Sequence, residues 1–179
     1  MTKSKVFLGI ALAVLAGFII WSVVKNPPVL PEVQIQNALT ALLEDSPTIK
    51  EMWPKVIADG YSVTFVAETL NGKQPGITIV KYKSAEIKLD LGKIRQTRDS
   101  LEAVLAHEII HIHDARYKYG FSDFVFLVDR DKQLAWQQKE VEISAIKQED
   151  MVRAELKATN KSKYSNMSLT RDIQNSRFK

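Results

Sequence analysis

Cysteine is absent from the chain. Its absence excludes a disulfide framework, a thiolate metal site and a cysteine nucleophile. Any metal ion held here must be held by histidine and carboxylate groups. A chain without thiols is indifferent to redox poise, so the same absence carries no information about compartment. Glycine and proline are sparse, at 7 and 6 residues, which excludes collagen-like and proline-rich fibrous chains. Histidine is scarce too, at three residues. What remains is ordinary for a folded protein: 45% apolar and 26% charged side chains, too apolar for wholesale disorder. A length of 179 residues suits one main domain.

The net charge of +4 is unevenly placed. Residues 1–25 carry Lys3, Lys5 and Lys25 and no acid. Residues 26–150 carry 15 basic and 19 acidic side chains, and residues 151–179 carry seven basic and two acidic. The middle of the chain, where a fold belongs, is mildly acidic. Nucleic acid is therefore not an expected partner.

Residues 6–24 (VFLGIALAVLAGFIIWSVV) are 19 residues without a charge. As a helix they span roughly 28 Å, close to the hydrocarbon thickness of a bilayer. Trp21 falls near the far end, where an indole favours the interface. A cleaved signal peptide competes with this reading, and Val14-Leu15-Ala16 offers a small-residue site. The apolar run continues well past it, however, which favours an uncleaved signal-anchor. Lys3 and Lys5 on one side against Lys25 on the other place the N-terminus in the cytoplasm. The rest of the chain is then expected on the non-cytoplasmic side, periplasmic or extracellular.

The expected organisation is an anchor over 1–25, a stiff proline-rich spacer over 26–32, a folded domain over 33–157 and a polar basic tail over 158–179. Apolar spacing gives helices over Val33–Leu43 and Thr48–Ala58, the second carrying Pro54 and stopped by Asp59-Gly60. Alternation gives strands over Tyr61–Leu70, Ile77–Tyr82 and Ser84–Leu91, read as a small antiparallel sheet. Asp99, with Glu102 three residues on, reads as the cap of a helix running to about Tyr117, with Gly120 beyond it. Phe121–Val128 is apolar and of undecided type. Lys132–Lys157 is a long helical pattern. The fold class is α+β.

All three histidines fall within His107–His113. His107 and His111 are four apart on the expected helix, so both imidazoles leave one face and can hold one metal ion. Glu108 stands beside them as a base for water that such an ion acidifies. This is the HExxH motif. His113 lies about 200° around the helix from His111 and points elsewhere. Asp114 shares the metal face and suits a hydrogen bond to a ligand imidazole. The third ligand should come from the next long helix, where Glu140, Glu142 and Glu149 are candidates. Glu142 shares a face with Ala145, Ile146 and Glu149, beside small Ser144 and Ala145 that allow close approach. Glu142 is preferred, with Glu140 in reserve.

His107-Glu108-x-x-His111, followed some thirty residues later by Glu142-x-x-Ala145, resembles the gluzincin class of zinc metallopeptidases. The succession of small sheet, active-site helix and glutamate helix is similar to the reduced minigluzincin form of the zincin core, over roughly residues 60–155. The resemblance implies Zn2+ held by His107, His111 and Glu142, with Glu108 as general base, and a peptide or protein substrate. It also implies an edge strand that lines the cleft, a place that Ser84–Leu91 fits, and an oxyanion stabiliser among Tyr117, Tyr119 and His113. The chain departs from longer forms of the second motif at Ile146. A zinc amidase acting on a non-peptide amide is the alternative within chemistry. A membrane-anchored scaffold with a zincin fold and no turnover is the alternative outside it.

Overall fold

The computed structural model describes residues 29–71, 74–97, 99–121 and 135–169, with 135–139 described by backbone alone. The anchor expected over 6–24 and most of the Phe121–Val128 patch lie outside these residues. Among the described residues, no helix is long and apolar enough to cross a membrane. Residues from Pro31 onward form one unit by their contacts, and the description below concerns that unit. Its class is α+β, as expected from the periodicities.

Helix α1 runs Pro31–Asp45, so the expected spacer ends earlier than residue 32. Pro31 is helical because it opens the first turn, where the missing N–H has no partner to lose and the fixed φ suits a helix. Helix α2 runs Pro47–Val56. Ser46 caps it by accepting from the Ile49 N–H at 3.2 Å, and Pro54 lies inside the helix near its end, where it has no N–H to give to the preceding turn. The chain then reverses at Asp59 and Gly60, both at positive φ. Arg116 donates to the carbonyls of Val56 and Ala58 there, which satisfies the end of α2 from another helix.

Strands β1 (Ser62–Ala67), β2 (Gly76–Val80) and β3 (Ser84–Leu89) form one sheet in the order β1-β3-β2. This corrects two expectations. The sheet is mixed, with β1 parallel to β3 and β2 antiparallel to it. Strand β3 is the centre, so the Ser84–Leu91 segment cannot be the edge that lines a cleft. The physical reason is the connections. The turn from Lys81 to Ser84, closed by the Lys81 N–H on the Ser84 carbonyl at 2.8 Å, forces an antiparallel pair. The link from β1 to β2 instead passes β3, leaving β1 on its far side and parallel to it. Asp90 fastens that link: its Oδ2 accepts from the Leu70 N–H and its Oδ1 from the Lys93 N–H. The same carboxylate thereby caps α3 (Leu91–Gln96), and these backbone donors hold it below its ordinary pKa.

Ala85, Ile87 and Leu89 of β3 are buried on the inner face of the sheet. Register sets Val63, Phe65 and Ala67 of β1 and Thr78 and Val80 of β2 on that same face. Against it lies α4 (Leu101–Tyr117), in which every residue from Ala103 to Ile112 is buried. The last helix among the described residues is α5 (Ala135–Thr159). Helix α4 shows little amphipathic asymmetry, because β2, β3, α1, α2 and α5 surround it. Its cap is Ser100, which accepts from the Ala103 N–H at 3.1 Å, rather than the expected Asp99. Asp99 is engaged by Arg153 of α5 at 2.6 Å.

The expected tail from Ala158 is corrected in its first part. Residues 160–168 turn back, and Tyr164 and Met167 are buried in the main core. Two apolar side chains in a polar segment help to seat it, each buried large side chain contributing roughly 1.5–3 kcal/mol.

Candidate metal centre

Helix geometry brings the first two groups together. His107 and His111 are one turn apart on α4, and their Nε2 atoms lie 3.1 Å from each other with the rings at 88°. Glu142 projects from α5 onto the same point. Its Oε2 is 3.4 Å from His107 Nε2 and its Oε1 is 3.6 Å from His111 Nε2. Burial alone would raise the Glu142 carboxyl, but the two facing imidazoles outweigh it and hold the group well below the usual carboxylate range. Glu142 is therefore an anionic acceptor at neutral pH.

These three residues could hold a metal ion. The donor set is two imidazole nitrogens and one carboxylate, with no thiolate, which suits a divalent cation that accepts N and O ligands. Metal–ligand bonds of about 2.0–2.1 Å at tetrahedral angles separate ligand atoms by about 3.3 Å. The separations of 3.1, 3.4 and 3.6 Å bracket that value.

Behind this group lies a chain of buried charge. His107 Nδ1 faces Glu149 Oε2 at 2.9 Å. A proton on Nδ1 donated to that carboxylate leaves Nε2 as the lone-pair donor toward the centre. The other oxygen of Glu149 accepts from Arg153 Nε at 2.8 Å and Nη2 at 2.5 Å. Glu149 and Arg153 are 0% and 2% exposed. The partner of the His107 imidazole is thus Glu149, where Asp114 was expected to bond one of the two imidazoles. Asp114 accepts from Ser144 Oγ at 3.1 Å and Gln148 Nε2 at 3.4 Å instead. It lies one turn farther along α4 from His111, opposite a different stretch of α5.

Glu108 leaves α4 toward the sheet and is 4% exposed. Thr78 of the edge strand β2 directs its hydroxyl at Glu108, with Oε2 at 2.7 Å and the backbone carbonyl at 3.1 Å. Gly76 makes room for the same side chain. A Cβ there would stand 2.7 Å from Glu108 Oε1, closer than non-bonded atoms allow. The strand beside this group is therefore β2, and among the described residues no strand covers its other edge.

The remaining candidates fall elsewhere. Glu140 is exposed and outside the His107–His111–Glu142 group. The His113 ring packs on Tyr117 with centroids 5.3 Å apart. The Tyr117 hydroxyl donates to the Lys55 carbonyl at 2.7 Å, and Tyr119 packs with Ala115 and Val141. Sequence reasoning missed Arg153, Asp99, Thr78 and Gly76. The spacing of four between Glu149 and Arg153 was a usable signal for an ion pair on one helix. Nothing local points Thr78 or Gly76 at Glu108, because strand order decides it.

The chain matches no protein-family model, no curated protein and no solved structure.

Proposed function

We propose that this chain is a membrane-tethered zinc metallopeptidase of the gluzincin type, built on a minigluzincin-like zincin core. The observation that carries the reading is the convergence of His107, His111 and Glu142 at one buried point, with Glu108 next to the first histidine and fixed by β2. His107, His111 and Glu142 would hold Zn2+. A zinc ion there supplies Lewis acidity, which acidifies water and polarises a carbonyl group. Glu108 takes the proton from the attacking water and delivers it to the leaving nitrogen. Thr78 holds that carboxylate in one orientation throughout. Strand β2 is the rail along which a peptide pairs, since its outer edge meets no other strand among the described residues and runs beside Glu108. That edge favours a peptide over a small non-peptide amide.

Residues 6–24 anchor the enzyme, with the N-terminus cytoplasmic and the catalytic domain on the other side of the membrane. The decisive test is Glu108→Gln in the full-length protein. Zinc content should match the parent, while cleavage of a peptide library falls by about 10²–10⁴. A zinc-loaded parent that cleaves no peptide, or a Glu108→Gln variant with parental turnover, sinks the peptidase reading.

A further inference from the structure

Arg153 is a cation held at 2% exposure, and the chemistry of peptide cleavage does not use it. It makes three kinds of contact at once. Nε and Nη2 hold Glu149, Nη2 also holds Asp99 Oδ1 at 2.6 Å, and Nη1 donates to the Ser168 carbonyl at 3.3 Å. Those partners belong to α5, to the residue before the cap of α4, and to the C-terminal turns. The C-terminal turns are seated by Tyr164 and Met167, both in the core. Lys163 adds an ion pair to Glu102 of α4 at 2.9 Å.

We propose that Arg153 is a positioning residue for His107, and that through it residues 160–168 form a strap whose docking is coupled to metal binding. The inference rests on the metal centre proposed above. A metal ion held by His107 would draw electron density from the ring and make Nδ1–H a stronger donor to Glu149. A Glu149 fixed by Arg153 in turn orients the ring and raises the basicity of Nε2. Arg153 reaches Glu149 and the Ser168 carbonyl through one rigid guanidinium plane. A shift of the strap therefore shifts Arg153, and with it the carboxylate that orients the ligand. The coupling must act equally in both directions: strap docking tightens metal binding, and metal tightens strap docking.

The experiment uses the full-length chain and zinc alone. Zinc affinity is measured by chelator competition for the parent, Arg153→Met and Met167→Ala, beside amide hydrogen exchange of residues 160–168 with and without zinc. Arg153→Met should weaken zinc binding by a few fold, less than Glu149→Gln, because the carboxylate keeps its charge and loses only its fixed orientation. Met167→Ala, which removes none of the relay's charges, should weaken it in the same direction by a smaller factor. Zinc should slow exchange over 160–168 in the parent and fail to do so in Glu149→Gln. If Arg153→Met proves too unstable to titrate, Met167→Ala and the exchange of the parent decide the matter. Zinc binding at parental affinity in Met167→Ala together with unchanged exchange over 160–168 overturns the strap. A parent that binds no zinc overturns both this inference and the peptidase reading. A parent that binds zinc with the coupling intact but cleaves no peptide overturns the peptidase reading alone.

Discussion

Helices α4 and α5 are joined across their interface by two buried carboxylates that differ in what they accept from. Glu149 sits between the His107 imidazole and the Arg153 guanidinium, one oxygen facing each. Asp114 is 2% exposed, yet its oxygens face Ser144, Gln148, the half-buried His113 and the solvent-reaching Lys118. Both carboxylates fasten the same two helices. Burial alone therefore does not mark the one that serves the metal group. What marks it is its partner, an imidazole of the group that could hold a metal ion. Fully enclosed ions leave no room for water to replace a lost partner, whereas the ring around Asp114 has neutral donors and an exposed cation that can adjust.

That contrast predicts unequal costs. Arg153→Met strands Glu149 as a buried charge and should destabilise the metal-free fold by about 3–5 kcal/mol. Asp114→Asn keeps the shape and an acceptor oxygen, and should cost on the order of 1 kcal/mol. Urea unfolding of the two variants beside the parent reads the difference. Equal costs would mean that the Asp114 cluster is as tightly closed as the Glu149 one.

A second, smaller difference concerns the metal. Glu149→Gln retains a carbonyl acceptor but loses the charge that makes His107 a better ligand, so zinc affinity should fall by about tenfold. Asp114→Asn should leave affinity within about twofold of the parent, because Asp114 touches neither His107 nor His111. The measurement is chelator competition on both variants. A loss in Asp114→Asn comparable to that in Glu149→Gln would return Asp114 to the role first expected of it.

The expectation that Asp114 bonds an imidazole of the histidine pair, with Glu149 weighed only as a third ligand, shows what was legible in the sequence. Local geometry carried a great deal. The pairing of His107 with His111 and the shared face of Glu142 and Glu149 both follow from 3.6 residues per turn. So does the preference for Glu142 over Glu140, which stands about 200° from Glu142 on α5 and was kept in reserve. What failed was non-local. Asp114 is on the metal face of α4, but the rise of the helix carries it past the centre, and only the placing of α5 decides which carboxylate meets the ring. Strand order is the same kind of fact: alternation found all three strands, and only the path of the 68–75 link makes β2 rather than β3 the edge. Tyr164 and Met167 were visible as isolated apolar residues in a polar run. Their surroundings argued for a tail, while their burial depends on the chain turning back after α5 toward Glu102.

The smallest expected effect is a dependence on pH, and its sign follows from Asp114. Burial pushes the Asp114 carboxyl up, but His113, Lys118, Ser144 and Gln148 together outweigh it and set it below its ordinary value. A carboxyl whose folded pKa lies below its unfolded one adds stability above the unfolded value, about 3.9 for aspartate. That stability is lost as pH falls through the lower, folded value, because the unfolded chain then binds the proton first. An asparagine at this position cannot ionise, so Asp114→Asn should lack this contribution. Between pH 5 and pH 2 the parent should therefore lose stability more steeply than Asp114→Asn, and the gap between them should close toward the acid end. Urea unfolding of the metal-free proteins at unit pH steps gives the two slopes. A gap that widens on acidification would mean that the Asp114 carboxyl is raised in the folded protein, with burial outweighing its four partners. The cluster would then resemble the Glu149 site in its closure to water, and the contrast between the two ends of the α4–α5 interface would lie in the imidazole alone.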